Sequence, residues 1–225
     1  MSANITNTKK VTLLGMLAAI AYAVIFVCHF LIPPVAGFLT LDVKDTIIAI
    51  AGFIFGPLSA ALVGVVVAAV EMVTISATGP IGLIMNILSS CCFACVAAFL
   101  YKRNHTLKGA ITGLVVGCLS ATAVMLLWNF LITPIYMGVP RETVAAMLVP
   151  VFLPFNLGKY ILNAAITMLI YKPIVTALRK ANLLAPSSNA AVAVQRERHL
   201  GTILVSLVLL ITCILGFLAW GLFFS

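Results

Sequence analysis

The stretch from Asp45 to Ser76 reads DTIIAIAGFIFGPLSAALVGVVVAAVEMVTIS, and its division decides the fold. It is too long for one straight membrane span, which needs about 20 apolar residues, and short for two. Gly56-Pro57 stands near its middle. A proline disfavours helix for the residue before it, so the stretch is predicted to break there into two helices. Backbone beside Gly56 then lies at membrane depth, which is allowed only where protein covers it or where it lines a cavity. A tight helical bundle follows.

Outward from that break the chain stays apolar. Its 225 residues are 64% hydrophobic and 8% charged, where soluble domains carry about a quarter charged residues. This composition excludes a soluble globular domain and marks an integral membrane protein. The apolar runs are continuous rather than alternating, so helices are expected rather than a barrel. Val11–Ile32, Gly82–Tyr101, Gly109–Pro134, Pro154–Tyr171 and Leu200–Phe224 read as further spans. The predicted fold is an all-α membrane protein, a six-helix bundle with a seventh C-terminal transmembrane helix. Residues 1–10 form the N-terminus, 11–184 the six-helix domain, 185–199 a polar linker and 200–225 the extra helix. The first apolar run is too long for a secretory signal and leads into more spans.

The net charge of +8 could mean nucleic acid in a soluble protein, but here the basic residues lie in short loops and tails. With two helices in the broken stretch and a cytoplasmic N-terminus, ten of the thirteen Lys and Arg fall inside. One span there with an external N-terminus places nine inside. Lys9 and Lys10 flank the first span, which usually dominates orientation, and so favour the first arrangement. Six cysteines lie within apolar runs. Cys91-Cys92-Phe93-Ala94-Cys95 has metal-like spacing but no His or second Cys pair beside it, and reads as small buried thiols.

Three ladders of small residues recur at a spacing of four: Gly15/Ala19/Ala23, Gly56/Ala60/Gly64/Ala68 and Gly109/Gly113/Gly117/Ala121. Each puts its members on one helix face and permits close backbone approach. Internal packing explains any of them; docking to another membrane subunit is the alternative.

Ionisable groups inside spans are costly and are functional candidates. Glu71 and Lys159 stand out. Asn156, Lys159 and Asn163 are spaced by three and four and share one helix face, which two amides make unsuited to lipid. Lys159 otherwise snorkels to the outer interface. Asn129 falls in the outer half of its helix and either faces the same cavity or bridges two helices. The outer loop PPVAGFLTLDVKD adds Asp42, Lys44 and Asp45, as a lid or as an exposed loop whose Asp45 caps the next helix. A second outer loop offers Tyr136, Arg141 and Glu142. No phosphate-binding loop, HExxH or carboxylate cluster is present, and the three histidines are far apart, so an enzyme is not expected, nor is a metal. What remains is an outward-opening cavity of apolar side chains with a few amides and one ammonium. It suits a flat, mostly apolar ligand with polar edges. Binding supplies no energy for uptake, which must come from an ion gradient or a partner.

GFLTLDVKD (37–45), GFIFGPLSAALVG (52–64), LLWNFLITPIYM (126–137) and LPFNLGKYILNAAITMLIYKP (153–173) together resemble the substrate-binding S components of energy-coupling factor (ECF) vitamin transporters, most of all the riboflavin-specific, RibU-type members. The resemblance runs from Val11 to Leu184. It implies a subunit of a bacterial cell membrane importer that captures riboflavin or FMN outside, with no cofactor. It implies partners, a membrane coupling subunit and two cytoplasmic ATPases, met through Gly15, Ala19 and Ala23. Asn129, Asn156 and Lys159 would contact the flavin, Leu39, Thr40, Leu41 and Asp42 would pack over it, and Asn86 and Asn163 complete the expected set. Two departures stand out. GELAN of riboflavin members reads GLIMN here (82–86), with Leu83 for the carboxylate, and their KN in the third helix is Glu71-Met72. Two other readings follow from these: an S component for another vitamin, and a stand-alone secondary transporter driven by protons through Glu71.

Overall fold

In the computed structural model, which describes residues 7–34, 39–181, 203–213 and 216, the chain turns at Gly56 between α2 (Lys44–Phe55) and α3 (Pro57–Thr74). Gly56 has φ 96° and ψ 169°, a backbone region open essentially to glycine alone. Pro57 follows at the first helical position, where its missing N–H is no loss. The dipeptide therefore stops one helix and starts the next.

α2 is the centre of the molecule. With 12 residues it is about 18 Å long, too short to cross a bilayer. Beyond its first turn it is apolar on every side, the pattern of a helix enclosed by others. Ile48, Ala49, Ile50 and Ala51 are all buried. α1 (Asn7–Leu31), α3, α5 (Val96–Arg103) and α8 (Leu153–Lys180) pack around it. α4 (Gly79–Ser90) runs through a wider π turn at Cys91–Cys95 into α5, and α6 (Leu107–Met137) returns beside that rod. The short α7 (Arg141–Met147) leads through a second π turn, Leu148–Phe152, into α8. Gly138 ends α6 in the left-handed conformation, a common helix stop.

Among the described residues, five helical rods are long and apolar enough to cross a membrane: Asn7–Leu31, Pro57–Thr74, Gly79–Arg103, Leu107–Met137 and Arg141–Leu178. With α2 they form an all-α body, in which α2 is a core helix and not a full span. Of the seventh helix, Ile203–Cys213 is described and is here α9. The predicted linker 185–199, residues 1–6 of the N-terminus and most of 214–225 lie outside the described residues.

The three small-residue ladders separate. A Cβ added to Gly113 would sit 2.6 Å from the Ala97 carbonyl oxygen, and one on Gly117 2.6 Å from that of Phe93. The α6 ladder is thus the seat for α5 and its π turn, and Ala121 on the same face is buried. Ala60, Gly64 and Ala68 of α3 also face inward. Gly15, Ala19 and Ala23 of α1 are exposed, and a Cβ on Gly15 meets nothing within 4 Å.

Candidate functional site

The segment entering α2 carries charge into the bundle. Leu39 anchors it from one side, packing with Val144, Val151, Phe152 and Phe155 where α7 meets α8. Three residues on, Asp42 is 1% exposed and held from three directions. Its carboxylate accepts from the Lys159 ammonium at 2.7 Å and from the Lys44 backbone N–H at 3.2 Å. Its carbonyl accepts from the Asn163 amide at 3.0 Å. Burial pushes the Asp42 carboxyl up, but the neighbouring Lys159 and Lys44 ammonium groups outweigh it and hold the carboxyl below its ordinary value.

The Lys44 side chain reaches the other way. Its ammonium donates to Glu71 of α3 at 2.5 Å, and the second Glu71 oxygen accepts from Asn86 of α4 at 2.8 Å. Asp45 takes the Ser90 hydroxyl at 2.5 Å. Its second oxygen, Oδ2, has no partner among the described residues. Thr46 closes the cluster, donating its backbone N–H to the Asn163 side-chain oxygen at 2.9 Å. The start of α2 is thereby tied to α3, α4 and α8 through two buried ion pairs and a buried amide. Removing one partner of such a pair leaves an uncompensated charge in a dry interior.

A cavity of about 200 Å³ adjoins this cluster. Thr40, Leu41 and Asp42 form one wall; Glu71, Ser76, Thr78 and Asn86 form another; His29 and Tyr136 close it. A larger cavity, about 1010 Å³, lies elsewhere, between α6, α8 and α9. It holds none of the buried charges, and the smaller one is the candidate ligand site.

The structure sorts the expected site residues into three groups. Thr40, Leu41, Asp42 and Asn86 line the cavity directly. Lys159 reaches it through Asp42, and Asn163 clamps the same segment from behind. The Asn156–Lys159–Asn163 stripe faces inward, each member 7% exposed or less; snorkelling of Lys159 is corrected by its bond to Asp42. Leu39, Asn129 and Asn156 do not line the cavity. Asn129 donates to the Met125 carbonyl and Asn156 to the Phe152 carbonyl, each at 2.8 Å, one helical turn back. Thr133 also donates to Asn129. Asp45 does not cap α2: Val43 is the capping residue, with no side-chain bond.

Ser76, Thr78 and His29 were not singled out from the sequence, and Lys44 was named with the outer loop but not as the partner of Glu71. Lys44 had a signal in hindsight: the lone carboxylate Glu71 inside α3 demands a cation, and Lys44 is a basic residue at the matching end of the neighbouring helix. Ser76 and Thr78 had none, since the α3–α4 turn that brings them to the wall has no distinctive pattern.

A family model described as "ECF transporter, substrate-specific component" matches residues 9–171. The chain belongs to this family. Curated relatives include the riboflavin transporter RibU of Staphylococcus aureus, 28% identical over 79% of this chain and 96% of the relative. The riboflavin transporter FmnP of Bacillus subtilis is 28% identical over 79% of this chain and 99% of its own length. Among solved structures, the S component of a bacterial ECF transporter aligns with a TM-score of 0.65 and 28% identity, covering 77% of this chain and 99% of that one. The family match and the apolar rods make the chain a multi-pass membrane protein and a transport component, not an enzyme. The three alignments cover nearly all of each relative and leave about a fifth of this chain unmatched; the family model ends at residue 171, before the linker and α9.

Proposed function

We propose that this chain is the riboflavin- or FMN-binding subunit of an ECF importer. It takes the vitamin from outside and delivers it inward after docking on the coupling subunit and its two ATPases. The observation that carries this reading is the placement of Asp42, Thr40 and Leu41, with Asn86 opposite, around a cavity at the charged entry to α2, in a chain whose relatives are riboflavin transporters. An amide presents a donor and an acceptor side by side and an ionised carboxylate presents acceptors alone; together they meet the edge of a flavin ring and its hydroxylated tail. At about 200 Å³ the cavity is below the roughly 300–1,000 Å³ of small-molecule sites. The 39–43 segment must therefore shift outward to admit the ring. That movement opens the Asp42–Lys159 pair and frees the ammonium for the ligand.

The basic residues at the ends of α5 and α8 support a cytoplasmic N-terminus in a bacterial cell membrane. The exposed Gly15, Ala19 and Ala23 face is the surface for the coupling subunit. The test is a titration of the purified chain with riboflavin and with FMN, read by quenching of flavin fluorescence. Saturable binding of either is expected; no binding at micromolar concentration overturns flavin specificity.

A different vitamin is the second reading, favoured by Glu71 on the cavity wall and by Leu83 where riboflavin members carry a carboxylate. A thermal-shift screen with other vitamins separates the two. Proton-driven uptake through Glu71 loses its motive: Glu71 is not a lone carboxylate but is paired with Lys44 and bonded to Asn86.

A further inference from the structure

The cavity of about 1010 Å³ between the six-helix body and α9 has no part in the site described above. Its walls are Val115 and Leu119 of α6, Ile161 and Met168 of α8, and Val205 and Leu209 of α9. Val205 and Leu209 are one turn apart and share a helix face. The chain places this groove against the hydrocarbon of the bilayer, since Val115 and Leu119 are more than half exposed. Water does not fill an apolar space of this kind, and at the upper end of the ~300–1,000 Å³ of small-molecule sites it accommodates acyl chains.

One end is different. Asn104, Thr106 and Lys108 form it. The first two are engaged locally: the Thr106 hydroxyl donates to Asn104 and accepts the Gly109 N–H. Lys108 has no ion-pair partner among the described residues. Lys102 and Arg103 end α5 and Lys108 lies in the first turn of α6, with no acidic residue between them. Of the four acidic residues among the described residues, Asp42, Asp45 and Glu71 are bound up in the cluster at the entry to α2, and Glu142 lies in the first turn of α7. The groove is thus apolar along its length and cationic at the end that reaches the membrane surface.

We propose that this groove is the site of a resident anionic diacyl phospholipid. Its acyl chains lie between α6, α8 and α9, and its head group meets Lys108. The lipid fills the gap between the body and α9 and joins the two.

The test reconstitutes the full chain in vesicles of mixed phosphatidylglycerol and phosphatidylcholine, extracts it in mild detergent and counts retained lipid by mass spectrometry. The expected result is retained phosphatidylglycerol in preference to phosphatidylcholine. Lys108→Gln should reduce that preference about five-fold, the worth of one basic residue near an anionic surface. Val115→Trp with Leu119→Trp should displace both lipids by filling the groove from its open side. None of these residues belongs to the Asp42–Lys159–Glu71 cluster, so flavin binding should be unchanged and serves as the control for folding. Absence of retained lipid, equal retention of both lipids, or an unchanged preference in Lys108→Gln overturns the proposal. A groove filled by another stretch of this chain gives the first of those results.

Discussion

Lys159 and Asp42 are 117 positions apart in sequence, and their bond holds the candidate lid onto the bundle. Lys159→Ala leaves a carboxylate buried and unpaired, a loss of about 3–5 kcal/mol in comparable sites. It should lower the thermal midpoint sharply and weaken flavin binding more than Lys172→Ala, whose side chain is exposed. Equal effects in a binding titration would return Lys159 to the role of an interface anchor. Lys44 and Glu71 form a separate pair, so Lys44→Met with Glu71→Gln should be milder than either change alone; a double-mutant cycle measures that coupling. The lowered Asp42 carboxyl also sets a sign with pH. Its stabilisation is complete above the unfolded carboxylate's value of about 4 and is lost as pH falls through the lower folded value. Asn156, Lys159 and Asn163 could be read from sequence because helical spacing alone puts them on one face. The Lys44–Glu71–Asn86 chain could not, because no periodicity relates a segment before one helix to the interiors of two others.

Gly56-Pro57 was readable as a break from proline sterics alone, and the φ of 96° at Gly56 explains why glycine stands there. A Cβ at Gly56 meets nothing within 4 Å, so Gly56→Ala tests conformation without a clash. The expected loss is about 1–3 kcal/mol, read as a lower unfolding temperature in detergent. Gly113→Val tests the opposite case: its backbone is ordinary helix, but the Ala97 carbonyl lies 2.6 Å from the added Cβ. It should separate α6 from α5 and reduce the yield of folded protein more than Gly15→Val on the open face of α1. The spacing of four identified all three ladders equally, and only the packed structure distinguishes inward from outward. α2 shows the same limit. Its apolar run was recognisable as helix, but whether it crossed the membrane depended on neighbours that enclose it on every side.

The architecture as a whole follows from one physical demand: a chain with so few charges must satisfy its backbone within helices, and its charges must then pair with one another. The apolar runs and the distribution of lysines and arginines outline the bundle, and the four quoted motifs carry the family resemblance that the family match bears out. The shape of the candidate cavity was not readable, because it depends on how the 39–43 segment lies across α3 and α4. Among the helices, α1 presents the small-residue face left uncovered by internal packing, so Ala19→Trp should block uptake by the assembled importer and leave flavin binding intact. Loss of binding in that variant would place the face inside the fold. The central claim, that this bundle is built to capture a flavin, is tested most directly by the small molecule that co-purifies with the chain. Mild extraction from cells grown with riboflavin, followed by absorbance and mass analysis of the released ligand, should yield riboflavin or FMN from the unaltered protein and little from Lys159→Ala. Recovery of a different vitamin, or of no flavin from a folded sample that also fails to take up added riboflavin, would contradict it.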